Sequence, residues 1–188
     1  MADKETLALG RAAPGRPTSP GLAEVFALSY RRLVVQLYGV VGDLAEAEDL
    51  VQESFVRASA AGARFRRVDN PEAWLRRTAI NLHRNRWRKL RNFGRVRPRL
   101  EASPPDPPGL EEHLAVIEAL RRLPQSQREV LALHYLADQP VAEVAALLRV
   151  PEGTVKTRLM RGREALAVLL SEEALTEETA QVEEDGHE

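Results

Sequence analysis

Residues 140–170, PVAEVAALLRVPEGTVKTRLMRGREALAVLL, contain the pattern that decides the fold. Apolar residues at helical spacing predict a short helix over Val141–Leu148, which Pro140 starts. Residues 149–153 (RVPEG) break the chain, and a second helix is predicted from Thr154, as its N-cap, to about Leu170. A short helix, a tight turn and a longer helix form a helix-turn-helix.

The second helix of this motif has two different faces. Val155, Leu159 and Leu166 lie at i, i+4 and i+11, so they form one stripe that faces the core. The opposite face carries Lys156, Thr157, Met160, Arg161 and Glu164. Arginine can form two hydrogen bonds with guanine, threonine can contact a thymine methyl group, and lysine suits phosphate. The motif therefore predicts DNA binding, and the alternative is an ordinary helical hairpin with a solvated basic face.

The composition predicts an all-α protein. The chain has 188 residues, of which 44% are hydrophobic and only 5% aromatic, and no strand pattern competes with the helical ones. The absence of cysteine excludes disulfides, thiolate metal sites and a cysteine nucleophile. No apolar run reaches the roughly 18–20 residues of a membrane span, and residues 1–20 lack the apolar core of a secretory signal. We therefore expect a cytoplasmic protein.

Two small helical domains are expected, joined by a flexible proline-rich linker with five prolines between residues 97 and 109. The domains are predicted over 22–96 and 110–170, with a disordered extension over 1–21 and a disordered acidic tail over 171–188. The first contains helical patterns over Leu22–Val41, after a cap at Asp43, and after Asn70-Pro71. In the second, helices are predicted over Leu110–Leu123 and, with Ser126 as a cap, over Gln127–Ala137.

Charge is segregated into blocks, although the formal net charge is only −1. Residues 64–99 contain thirteen Lys or Arg and two acids, whereas residues 171–188 contain eight acids and no Lys or Arg. Residues 43–53 contain five acids and no Lys or Arg. The basic block suits a polyanion such as nucleic acid, and the alternative is a solvated arginine-rich surface.

Four blocks of the sequence resemble, in the right order, the extracytoplasmic-function (ECF) sigma factors, the two-domain sigma subunits of bacterial RNA polymerase. DLVQESFVRA (49–58) resembles region 2.2, and PEAWLRRTAINLHRNRWRK (71–89) resembles regions 2.3 and 2.4. LRRLPQSQREVLALHYL (120–136) resembles region 4.1, and GTVKTRLMRGREAL (153–166) resembles region 4.2. The resemblance implies a promoter-specificity subunit that recognises the minus-thirty-five and minus-ten elements, uses no cofactor and catalyses no reaction itself.

The resemblance also implies contacts with the core RNA polymerase. Region 2.2 binds the clamp helices of the polymerase beta-prime subunit in this family, and region 4 contacts the beta flap. The residues at the region 2.2 positions here are Asp49, Leu50, Val51, Gln52 and Glu53. Asp49, Gln52 and Glu53 share one helix face, and a solvated acidic face is the alternative interpretation.

Region 2 residues are implied to open and read the minus-ten element. Asn81 and Asn85 match polar positions of the family's pocket for a flipped base. The loop Arg67–Asn70, with Asp69, corresponds to the loop that closes this pocket. The arginines and lysine expected to hold phosphates are Arg76, Arg77, Arg84, Arg86, Arg88 and Lys89. Asn85 stands where many relatives have aspartate, whereas Trp74 is expected in the core.

Region 4.2 is implied to read the minus-thirty-five element with Lys156, Thr157, Met160 and Arg161. Arg158 and Arg163 are expected to touch phosphates, and Thr154 marks the helix N-terminus that approaches the DNA. Gly162 stands where the family usually has alanine. A neighbouring helix crowds this position, or the helix is simply weaker there.

Two other protein classes compete with this interpretation. A two-domain transcriptional regulator would need an α/β domain before the helix-turn-helix, and the first half lacks strand patterns. A helical metallohydrolase would need ligand spacing that the four histidines do not show: His83, expected at the surface, His134, expected in the core, His113 and His187. An anti-sigma factor is a further candidate partner. The acidic tail is a candidate mask for the basic block, or else a solubilising tail.

Overall fold

The computed structural model describes residues 21–92 and 113–185, with side chains described in 21–89 and 113–171. Its α-helices are α1 (Leu22–Val41), α2 (Leu44–Ala61), α3 (Pro71–Asn92), α4 (Leu114–Arg121), α5 (Gln125–Leu131), α6 (Val141–Leu148) and α7 (Glu152–Asp185). A 3-10 turn covers Phe65–Arg67, and a π-helical turn covers Ala132–Leu136. The described part of the chain contains no strand, and the all-α prediction is confirmed.

The helices of the first domain begin and end where their capping residues lie. The Asp43 side chain accepts a hydrogen bond from the Glu46 N–H at 2.8 Å, and the Asn70 side chain accepts one from the Ala73 N–H at 2.9 Å. Gly42 ends α1 in the left-handed conformation at φ +81°, and its N–H donates to the Tyr38 carbonyl. Both predicted N-caps are confirmed.

A single apolar cluster connects the helices of both domains. In the first domain α1 packs along α2, and α3 packs across both of them. The central side chains of this part are fully buried: Leu33, Leu37, Leu44, Leu50, Leu75 and Ile80. Burying such a leucine stabilises the fold by roughly 1.5–3 kcal/mol.

The second domain contains the predicted helix-turn-helix. α6 has the predicted bounds, and Val144 and Leu148 on α6 are buried together with Val155 and Leu159 on α7. α5 begins at Gln125 directly after Pro124, so the prediction that Ser126 caps it is wrong. The proline determines the start because it suits the entry to a helix and needs no N–H partner.

The bounds of α7 differ from the prediction at both ends. The helix begins at Glu152, and the Pro151 carbonyl accepts from the N–H groups of Thr154 and Val155 at 3.0 and 3.2 Å. Thr154 therefore lies inside the first turn and is not the N-cap. The sequence also predicts a disordered tail from residue 171, whereas the backbone of 171–185 is helical. This segment cannot form a core, but its Glu, Ala, Leu and Gln residues are strong helix formers.

The two domains are in direct contact, which the sequence does not predict. The second half of α1 packs against α4, α5 and the π-helical turn, and α3 packs against α6. A Cβ at Gly39 would lie 2.5 Å from Leu136 Cδ1 and 3.2 Å from Ala132 Cβ, so α1 approaches the π-helical turn closely because residue 39 has no side chain. The predicted linker, 97–109, lies outside the described residues.

Candidate nucleic-acid interface

The outer face of α7 exposes most of the side chains that the sequence assigns to DNA. Lys156, Thr157, Met160, Arg161 and Arg163 are exposed, whereas Val155 and Leu159 on the inner face are buried. The Thr157 hydroxyl donates to the Gly153 carbonyl at 2.9 Å. This bond occupies the hydroxyl proton, and the methyl group stays on the exposed side chain.

Gly162 is buried because α5 crowds it. A Cβ there would lie 2.9 Å from Leu131 Cδ1, 3.3 Å from Leu131 Cγ and 3.3 Å from Gln127 Cβ. Of the two explanations that the sequence leaves open for Gly162, the structure supports crowding by a neighbouring helix. The absence of a side chain at residue 162 lets α7 pack directly on α5.

A second basic and polar face lies on α3. Arg77, Asn81, Arg84, Asn85 and Arg88 follow the spacing i, i+4, i+7, i+8 and i+11, which places them along one side of the helix. Arg77, Asn85 and Arg88 are exposed, and Asn81 and Arg84 are half-buried. The structure therefore brings these five predicted residues together.

Two other arginines of α3 have structural partners. Arg76 is buried, and it donates to Gln36 Oε1 at 2.9 Å and to Glu72 Oε1 at 2.9 Å. Burial lowers the pKa of Arg76, while Glu72 opposes this shift. Arg86 donates to Glu53 Oε2 at 2.8 Å. The prediction that Arg76 holds a DNA phosphate is wrong, because its guanidinium faces the interior of the three-helix bundle.

His83 is also buried, at 1% exposure, so its predicted position at the surface is wrong. Its Nδ1 lies 3.1 Å from Glu46 Oε1. The hydrogen bond to His83 lowers the pKa of Glu46, and burial opposes that shift. The pair joins α3 to α2 beneath the basic face. His134 is half-buried, with its Nδ1 2.8 Å from the Gln139 carbonyl.

The loop between α2 and α3 presents Arg67 and Asp69 at the surface. Asn70 is exposed as well; its side-chain oxygen caps α3, and its NH2 group can donate to another partner. Phe65 anchors the loop, since its ring packs edge-on against Trp74 with centroids 5.2 Å apart. Trp74 packs against the core as predicted.

The acidic face of α2 exposes only some of the residues that the sequence assigns to a protein contact. Asp49 and Gln52 are exposed and Glu53 is half-buried, but Leu50 and Val51 are both 0% exposed. The prediction that Leu50 and Val51 contact a partner is wrong, because both point into the core between α1 and α3. Burial raises the pKa of Glu53, and hydrogen bonds from Arg57 and Arg86 lower it more, so the net shift is downward.

An aromatic patch lies beside this acidic face, and the sequence pattern does not predict it. Phe26 stacks on Tyr30 with centroids 4.6 Å apart, and Phe55 lies edge-on to Phe26 at 5.0 Å. Phe26 is 44% exposed and the neighbouring Val56 is 67% exposed. Gln52 Nε2 donates to the Tyr30 hydroxyl at 3.4 Å, which joins the patch to the acidic face. Phe26 belongs to the apolar pattern of Leu22–Val41, and only the packing shows that it lies at the rim of the core.

A cleft of about 550 Å³ lies between the two domains. It is lined by residues of α3, α5, α6, the turn after α6, and α7: His83, Arg84, Trp87, Arg88, Gln125, Ser126, Glu129, Leu148, Val150 and Arg158. Across it, Arg84 Nη1 donates to the Leu147 carbonyl at 2.9 Å. Burial lowers the pKa of Arg84, Glu129 opposes this shift, and Arg149 and Arg88 add to it.

Within residues 21–92 and 113–185 no helix is long and apolar enough to cross a membrane. The same part of the chain brings together no group of three His, Cys, Asp or Glu side chains that would hold a metal ion.

Comparison with known proteins identifies both domains. Residues 26–93 match the family described as Sigma-70 region 2, and residues 113–166 match Sigma-70, region 4. The ECF RNA polymerase sigma factor SigW of Bacillus subtilis is 32% identical over 158 residues, which cover 73% of this chain and 82% of SigW. The chain belongs to the ECF RNA polymerase sigma factors.

Further relatives of this sigma factor agree with that assignment. The ECF RNA polymerase sigma factor EcfG of Rhodopseudomonas palustris is 36% identical over 137 residues, which cover 69% of this chain and 74% of EcfG. Among solved structures, the sigma factor RpoE of Bartonella quintana, in complex with the anti-sigma factor NepR, has a TM-score of 0.61 at 27% identity. That similarity covers 79% of this chain and 96% of RpoE. As a sigma factor, the chain directs RNA polymerase to promoters.

Proposed function

We propose that this sigma factor reads the minus-thirty-five element with α7 and the minus-ten element with α3, and that it docks on the polymerase through α2. The observation that carries the proposal is the two-sided character of α7. Its inner face is buried in the second domain, and its outer face exposes a lysine, a threonine, a methionine and two arginines. A recognition helix presents such a face to the major groove.

In the minus-thirty-five contact, Lys156, Thr157, Met160 and Arg161 face bases, and Arg163 faces phosphate. Losing a bidentate arginine–guanine contact costs about 1–3 kcal/mol and relaxes specificity at one base pair. Arg161→Ala is therefore expected to bind its promoter more weakly and to discriminate less at one position. Its matched control is Arg163→Ala, which is expected to weaken all sequences alike and to reduce the salt slope by about 1.

In the minus-ten contact, Asn81 and Asn85 pair with the edge of a flipped base. Arg77 and Arg88, which flank them on the same face of α3, hold the phosphates of the opening strand. Asn85→Asp replaces an amide donor with an acceptor, so it is expected to change which base is preferred at one minus-ten position. Binding of single-stranded oligonucleotides that vary at each position measures this. An unchanged base preference would argue that Asn85 does not read a base.

The polymerase contact is formed by the exposed acidic residues of α2 and the neighbouring aromatic patch. Asp49 is the more available acid, since Arg57 and Arg86 already bind Glu53. Exposed aromatic rings beside charged groups are typical of protein interfaces, and the basic coiled coil of the beta-prime clamp helices complements the acids. Gln52→Ala and Phe26→Ala are expected to weaken binding of core polymerase. A matched control is Leu28→Ala, because Leu28 is 71% exposed and carries none of the proposed contacts.

No catalytic role is proposed for the chain, because phosphodiester chemistry belongs to the polymerase. Region 4 also contacts the beta flap in this proposal. The relative RpoE is bound to an anti-sigma factor, and a protein of that class is a candidate partner here.

Run-off transcription with core polymerase tests the proposal as a whole. Purified sigma factor should produce defined start sites, and a transcriptional regulator would not. A metal-dependent hydrolytic activity of the purified chain would instead favour an enzyme.

A further inference from the structure

We infer that the chain pairs with a second copy of itself through α7, with the two helices antiparallel, and that this pairing covers the DNA-facing residues of both copies. The pairing itself does not depend on the proposed function. Its competition with DNA does rest on that function, because both use the outer face of α7.

The charge along α7 changes sign near the middle of the helix. Residues 156–163 (KTRLMRGR) contain four Lys or Arg and no acid, whereas residues 172–185 contain seven Asp or Glu and no Lys or Arg. One continuous helix, Glu152–Asp185, carries both segments. At 1.5 Å per residue this helix is about 51 Å long, so a basic segment and an acidic segment lie far apart on the same rod.

An uncharged, apolar segment, residues 165–171 (ALAVLLS), separates the two charged ones. Leu166 and Leu169 pack partly against the core of the second domain. Val168, by contrast, is 57% exposed and Leu170 is 38% exposed. The outer face of α7 therefore carries apolar side chains at its centre, with opposite charges towards its two ends.

The acidic segment cannot cover the basic segment of its own helix. The centres of the two segments lie about 29 Å apart along the helix axis. Residues 163–185 contain no glycine or proline at which the helix would break and turn back. The acidic segment can therefore meet a basic helix of this kind only in another molecule.

A second copy of α7 fits this face in the antiparallel direction. If two helices cross at Val168, the centre of the basic segment lies about 13 Å to one side of the crossing and the centre of the acidic segment about 16 Å to the other. The basic segment of each copy then faces the acidic segment of its partner, and the same contact forms twice, as in a two-fold dimer. A parallel pair would instead bring like charges together, which is unfavourable.

Pairing of this kind excludes DNA from the same face. Lys156 and Arg161 are exposed in the single chain and lie within the basic segment. In the dimer they face the acidic segment of the partner, so neither copy of α7 can enter a major groove. The acidic segment and the DNA phosphates compete for the same cations, and the dimer is the form that does not bind the minus-thirty-five element.

The salt dependence of self-association gives a first test. Attraction between exposed charges is screened over about 10 Å at 0.1 M salt and about 3 Å at 1 M. In sedimentation equilibrium of the full-length chain we expect a monomer–dimer equilibrium at 0.1 M salt that is at least tenfold weaker at 1 M. A chain that stays monomeric at 0.1 M salt up to millimolar concentration would overturn the pairing.

A charge swap tests the antiparallel arrangement directly. Glu177→Lys with Glu178→Lys makes the acidic segment partly basic, and Arg161→Glu with Arg163→Glu makes the basic segment partly acidic. Each double variant alone should self-associate at least tenfold more weakly than the wild type. An equimolar mixture should restore association, because each altered segment then faces one of opposite charge. A mixture that stays monomeric would refute the arrangement.

The matched control for the acidic segment is Glu118→Lys with Glu143→Lys. Both residues are exposed, on α4 and α6, and the double variant changes the net charge by the same amount. It should self-associate as the wild type does. Equal weakening by this control would show that net charge alone, and not the acidic segment of α7, governs association.

A duplex that carries a minus-thirty-five element tests the competition. Adding it to the wild-type dimer should produce a complex with one chain per site, and Glu177→Lys with Glu178→Lys should bind it more tightly than the wild type does. A dimer that persists on the duplex would overturn the competition. Tighter binding by a chain truncated after Ser171, with no dimer in the full-length protein, would show that the acidic segment acts within one chain. A duplex that binds neither protein would contradict the proposed function and leave the dimer untouched.

Discussion

Replacing Gly162 with alanine tests how closely α7 packs on α5. Alanine is favoured over glycine in a helix interior by about 0.5–1 kcal/mol. The new Cβ, however, would lie 2.9 Å from Leu131 Cδ1 and 3.3 Å from Gln127 Cβ. Leu131 is only 1% exposed, so its side chain has nowhere to move, and the Gln127 Cβ moves only with the backbone of α5. Overpacking of this kind costs about 1–3 kcal/mol. We therefore expect a net destabilisation of about 0.5–2 kcal/mol.

The matched control is Gly153→Ala in the first turn of the same helix, where an added Cβ would meet nothing within 4 Å. That substitution is expected to stabilise the protein by about 0.4–1 kcal/mol through the unfolded state. Urea unfolding followed by circular dichroism gives the free energy of unfolding of both variants. If Gly162→Ala stabilised the protein as much as Gly153→Ala does, the proposed crowding would be wrong, and Gly162 would simply weaken the helix.

Three further predictions follow from the contacts described above. Leu50→Ala should lower the free energy of unfolding by about 2–5 kcal/mol, because Leu50 is fully buried. The folded variant should bind core polymerase normally. Normal stability with weak polymerase binding would show that Leu50 does contact the polymerase. Asn70→Ala should cost about 1 kcal/mol in chemical unfolding through loss of the α3 cap, and a loss below the measurement error would show that the cap is dispensable. The pKa of Glu46 is lowered from 4.5, so its bond to His83 stabilises the fold above that pH and is lost as the pH falls below it. Glu46→Gln should therefore show a shallower decline of stability in acid, and an identical decline would argue against this bond.

The local features of the fold follow from the sequence because their causes are local. Asp43 and Asn70 cap the helices that follow them, as their side chains predict, and α6 has the bounds that its flanking residues indicate. Thr154 fails as a cap because Pro151, three residues earlier, already starts the helix. Pro151 and Thr154 are both suitable residues for the start of a helix, and the sequence alone does not show which one is used.

The site residues also divide into those whose exposure the sequence predicts and those whose position depends on the packing. Exposed positions on α7 follow from the helical period, since one face must be buried and the other must not. The predicted contacts of Leu50, Val51 and Arg76 are wrong because the family's motif covers whole stretches of helix, whereas only some residues of each turn face outward. The sequence does not predict the aromatic patch on α1 and α2, because apolar periodicity does not distinguish a core residue from one at the rim.

The sequence by itself determined the all-α class, the helix-turn-helix and the family, because these depend on periodicity, capping and the order of motifs along the chain. Only the tertiary structure decided that Gly162 is crowded, that Arg76 and His83 are internal and that Arg128 caps α1 from the other domain. These facts depend on which helix lies opposite a residue, and residues 40 and 128 meet across a long stretch of intervening chain. Glycine and arginine at such positions look ordinary in a sequence, and they acquire their role only from the partner that packing brings within reach.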